Sequence, residues 1–108
     1  MYILDLIYEN GCDASETLSP AGVGGNINQK DRPYVKEALG SHAALIGGMD
    51  QINLLTEGTP KDIYQEVMNL FETFGKGGGY IMSACDHFFE APVNLLKVYA
   101  DAAKECVY

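Results

Sequence analysis

Two short, almost uncharged runs, Ala43–Gly47 (AALIG) and Tyr80–Ala84 (YIMSA), flank the clearest helix in the chain, and this arrangement constrains the fold more than any other feature. A strand that is apolar along its whole length suits a parallel sheet buried on both faces. Between the runs, Thr59 is a good N-cap and Pro60 sits at the first helical position. Ile63, Val67, Leu70, Phe71 and Phe74 then form one apolar stripe that Gly75 ends. Strand, helix and strand in this order make a βαβ unit with parallel strands.

The flanking segments extend the alternation. Tyr2 to Asn10 places Ile3, Leu6 and Ile7 at helical spacing, with Leu4 on the same broad face, and stops at Asn10-Gly11. Cys12 to Leu18 is a small strand candidate ended by Ser19-Pro20. Ala21 to Gln29 is glycine-rich, uncharged loop composition. Asp31 can cap a helix from Arg32 to Leu39, with Gly40 at its C-terminal end. After the YIMSA strand, Cys85 to Ala91 is a polar and aromatic loop, and Pro92 starts a last helix with Leu96, Tyr99, Ala100 and Ala103 facing inward. The order is helix, strand, helix, strand, helix, strand, helix. An open three-stranded sheet satisfies it, but a barrel fragment that begins just after one of its own strands accounts better for the first helix, which no strand precedes.

At 108 residues the chain is expected to form a single unit, residues 1–108. Fifteen acidic against seven basic side chains give a formal charge of -8, which disfavours phosphate backbones and anionic lipid surfaces as partners. No apolar run approaches the roughly 18 to 20 residues that span a bilayer, and the amino terminus lacks a basic signal-type region, so a cytoplasmic location is expected. Cys12, Cys85 and Cys106 have no CxxC spacing, and the expectation is reduced thiols.

Four motifs in order carry a resemblance: Gly47-Gly48-Met49-Asp50 at the end of a strand, Gly58-Thr59-Pro60 opening a helix, Gly78-Gly79-Tyr80-Ile81 opening the last strand, and Pro92-Val93-Asn94 opening the last helix. Together they resemble the last third of uroporphyrinogen-decarboxylase-family proteins, and Leu6 to Ala14 looks like that family's preceding helix and strand. The resemblance implies an α/β fold, the last three βα units of a (β/α)8 barrel. It also implies chemistry at the carboxyl-end mouth of the strands. The family holds porphyrinogen decarboxylases, which need no cofactor, and corrinoid-linked methyltransferases, which use zinc to activate a thiol. Residues that separate the two lie in the earlier barrel, so the chain alone is expected to be inactive. Its substrate would be a small molecule bound by the complete barrel, and its protein partner a second copy or a complementary barrel segment.

Both subgroups place a functional residue a fixed step after the final strand, a His in decarboxylases and a zinc-binding Cys in methyltransferases. Counted without a gap, that position is Asp86, and a one-residue shift brings Cys85 or His87 to it; all three stay open. His87 suits acid or hydrogen-bonding work because imidazole titrates near neutrality. Cys85 would ligate metal as thiolate and would need two further ligands. Asp50, directly after a strand, is a mouth candidate or a loop-closing aspartate. Phe88 and Phe89 would line an apolar pocket or pack in the core. The 21–28 loop offers backbone amides without a phosphate-binding pattern. His42 precedes a strand and falls at the opposite, stabilising end. Tyr2, Tyr8, Tyr34, Tyr64 and Tyr99 read as helix packing residues.

Overall fold

The computed structural model describes residues 3–16, 18–88 and 90–108; Tyr2 and Phe89, singled out above, lie outside the described residues. Helices α1 (Leu4–Asn10), α2 (Arg32–Leu39), α3 (Pro60–Leu70) and α4 (Val93–Glu105) alternate with strands β1 (Ala14–Ser15), β2 (Ala44–Met49) and β3 (Tyr80–Ala84). The three strands pair in parallel in the order β1-β2-β3, with Ser15 opposite Leu45 and Leu45 opposite Tyr80. The architecture is α/β with parallel strands and crossover helices, as the alternation predicts.

Capping and patterning explain the helices. In α3 the Asp62 N–H donates to Thr59 Oγ1 at 3.2 Å, and Pro60 costs nothing where an N–H has no partner anyway. Its buried residues Ile63, Val67 and Leu70 lie on the expected stripe. Beyond Leu70 the chain widens into a π-helical turn, Phe71–Gly75, which buries Phe74 and leaves Phe71 half-buried against the Tyr108 ring at 5.5 Å.

Several expectations are corrected. β1 is two residues long rather than spanning 12–18, because only Ala14 and Ser15 find ladder partners on β2. β2 runs on through Gly47 and Gly48 to Met49; both glycines have positive φ, 108° and 98°, so the strand bends there instead of ending. Asp31 does not cap α2 directly. Its carboxylate reaches back to accept from the Asn28 N–H at 3.1 Å, and the 29–31 segment forms a 3₁₀ turn leading into the helix. A second such turn, Ala21–Val23, lies in the glycine-rich segment expected to be plain loop. In α4 the most buried positions are Leu95 and Ala102; of the expected stripe, Leu96 and Tyr99 pack against the core and Ala103 is half-buried, while Ala100 is exposed. In α1 only Leu4 is buried and Ile7 half-buried, while Ile3 and Leu6 stay exposed.

The core lies between the helices and one face of the sheet. Leu45, Met49 and Tyr80 point into it, with Val35, Leu39, Ile63, Val67, Leu70 and Phe74 opposite. Alternation sends Ile46, Ile81 and Ser83 to the other face, where Ile81 is 55% exposed. No helix among the described residues covers that face. A charged residue is buried within the layer: Arg32 at the start of α2, 4% exposed, bonds to the half-buried Glu66 carboxylate of α3. Among the described residues no helix is long and apolar enough to cross a membrane.

Candidate active site

The carboxyl ends of the three strands lie at one end of the sheet, because parallel strands deliver every following loop to the same side. A cavity of about 380 Å³ opens there on the uncovered face. Glu16 follows β1, Ile46 and Gly47 belong to β2, and Ser83 to Phe88 run off the end of β3; all line it. The structure thus brings Cys85, Asp86, His87 and Phe88 to the cavity. Asp50 does not line it, and Phe89 lies outside the described residues.

Asp86 and His87 form one unit. The Asp86 Oδ1 accepts from the His87 backbone N–H at 2.7 Å and contacts His87 Nδ1 at 2.8 Å. These contacts, the ring nitrogen first, hold the Asp86 carboxyl below the usual carboxylate range. A carboxylate on Nδ1 keeps the proton on that nitrogen and orients the ring. Both side chains are solvent-exposed, as at the rim of an open cleft.

Cys85 lines the same cavity and is half-buried. Its thiol lies 3.9 Å from the Leu18 carbonyl, and burial pushes it above the ordinary thiol range. This contact ties the thiol to the segment after β1. Among the described residues no three His, Cys, Asp or Glu side chains converge as a metal site. A metal held by Cys85 would itself ionise the thiol and would need two further donors from outside the described residues.

Asp50 closes a loop. Its Oδ1 accepts from the backbone N–H groups of Ile52 at 2.9 Å and Asn53 at 2.7 Å, and its Oδ2 accepts from Asn53 Nδ2 at 2.8 Å. Asn53 Nδ2 also reaches the Gly22 carbonyl at 3.3 Å, joining this loop to the glycine-rich segment. A side chain on Gly22 would lie 2.7 Å from the Asp50 carboxylate, so glycine there permits the close approach. His42 sits at the opposite end of β2, with its ring 4.3 Å from that of Tyr8. Tyr64, on the exposed side of α3, donates to Glu105 at 2.8 Å.

Two cavity residues escape the sequence reading. Glu16 stands directly after β1 as Asp50 does after β2, and Ser83 shares the period-2 face of Ile81; strand parity would have found both.

The arrangement is one class of protein: a parallel α/β layer carrying polar residues where its strands end. Comparison with known proteins gives the kinship. The chain is 32% identical over 103 residues, 94% of its length, to a uroporphyrinogen decarboxylase of Psychromonas ingrahamii. It is 28% identical over 72 residues, 67% of its length, to a methylated-thiol–coenzyme M methyltransferase of Methanosarcina mazei. The chain is related to the uroporphyrinogen decarboxylase family, as its motifs indicate. It spans 26% and 19% of the length of these two relatives. No family model matches the chain, and no solved structure matches it.

Proposed function

We propose that this chain forms the last three βα units of a (β/α)8 barrel of uroporphyrinogen-decarboxylase type, residues 1–108 acting as one structural unit, and supplies one wall of its active-site mouth. The observation that carries this reading is the cavity at the carboxyl ends of all three strands with the Asp86–His87 pair on its rim. The reaction is removal of carboxylate arms from a porphyrinogen. In it, His87 handles a proton, Asp86 holds the ring by Nδ1, and Asp50 fixes the loop after β2 against the glycine-rich segment. No cofactor enters this reading.

Among the described residues that line the cavity, Glu16 and Asp86 are acidic and none is Lys or Arg. Groups that hold anionic arms must come from protein beyond these three units. The uncovered sheet face, with Ile46 and Ile81, is where further strands pack, because parallel sheets are stable with both faces covered. Alone, the chain turns over no substrate and self-associates over that face. Methyl transfer with zinc and a corrinoid partner is the second reading, favoured by the similarity to the methyltransferase. It ranks lower because, among the described residues, no two further metal donors stand beside Cys85. A cytoplasmic setting fits either reaction.

The test replaces the matched quarter of the Psychromonas ingrahamii decarboxylase with this chain and assays carbon dioxide release from uroporphyrinogen. The chimera is expected to be active, and His87→Ala within it to lose at least tenfold in kcat with the fold retained. Full activity of His87→Ala, or turnover by the isolated 108 residues, overturns the reading.

A further inference from the structure

No further inference is drawn: the strongest candidate, the uncovered face of the parallel sheet around Ile46 and Ile81, belongs to the surface already assigned under the proposed function.

Discussion

The Tyr80 hydroxyl donates to the Gly47 carbonyl at 2.7 Å, across the buried face of the sheet from the first residue of β3 to the bend in β2. Gly47 and Gly48 carry φ of 108° and 98°, and the bend takes the Gly47 carbonyl out of regular strand geometry. The phenol is buried, which pushes its pKa well above the ordinary tyrosine value, so it stays a donor at every pH at which the protein is studied. Tyr80→Phe leaves a buried carbonyl without its partner and is expected to cost about 1 to 3 kcal/mol in urea unfolding. Gly48→Ala should cost at least as much, since its new carbon would sit 2.7 Å from the Leu70 side chain at a left-handed φ. A neutral Tyr80→Phe would show that the bend is held by packing alone.

The Arg32–Glu66 pair ties the start of α2 to α3, and Arg32 is almost wholly buried. Removing one partner strands the other charge, so Glu66→Ala is expected to destabilise by about 3 to 5 kcal/mol, whereas Arg32→Met with Glu66→Leu should cost far less. Thermal unfolding of Glu66→Ala, Arg32→Met and the double variant reads this directly. Equal losses in all three would mean that shape, not charge, matters at this position.

Asp50 illustrates how much of the site could be read ahead of the structure. Its place after a strand marked it as either a mouth residue or a loop-closing one, and the hydrogen bonds to Ile52 and Asn53 show the loop-closing geometry. Choosing between them needed the position of Asn53, and through it of Gly22, 31 residues earlier, which no local pattern reports. Helix α3, strand β3 and the parallel order were legible because a cap, a stripe and an apolar run agree with one another. Ala100 was placed inward wrongly because it is the same residue type as the buried Ala102, and only the packing partner picks the face. The Arg32–Glu66 pair was not legible at all, since charged residues on helices ordinarily face water.

Asp50→Ala removes acceptors for two backbone N–H groups and for Asn53 Nδ2, and should loosen the link to Gly22. The expected cost is about 2 kcal/mol, with faster amide exchange at Ile52 and Asn53. Asp50→Asn keeps one acceptor oxygen and should fall between wild type and Asp50→Ala. Unchanged exchange at both amides in the alanine variant would rule out the loop-closing role.

Because His87 supplies both hydrogen bonds to Asp86, the Asp86 carboxyl should titrate below the ordinary value of about 3.9. A carboxylate whose folded pKa is depressed contributes stability above its unfolded pKa and loses it as pH falls through the lower folded value. The side chain is too exposed for that contribution to register in unfolding, so the readout is the carboxyl carbon shift in an NMR titration from neutral pH downward. His87→Ala should move the Asp86 midpoint up toward the ordinary value. An identical midpoint in the two proteins would mean that the pair does not form in solution.

Ile81 gives the most direct reading of the uncovered face. It is 55% exposed in a strand whose covered-side neighbours Tyr80 and Met82 pack into the core, so Ile81→Glu should leave the fold and its melting temperature nearly unchanged. Light scattering across a concentration series should show wild-type association that the glutamate reduces, because a charge facing a second copy must be desolvated and here also adds to a chain of formal charge -8. Salt in the buffer separates the two contributions: repulsion between whole chains is screened over a Debye length of about 8 Å at physiological ionic strength, while the desolvation of a buried glutamate is not. A wild-type chain that stays a monomer throughout the series would show that the face needs no cover, and the barrel reading would then lose its structural support.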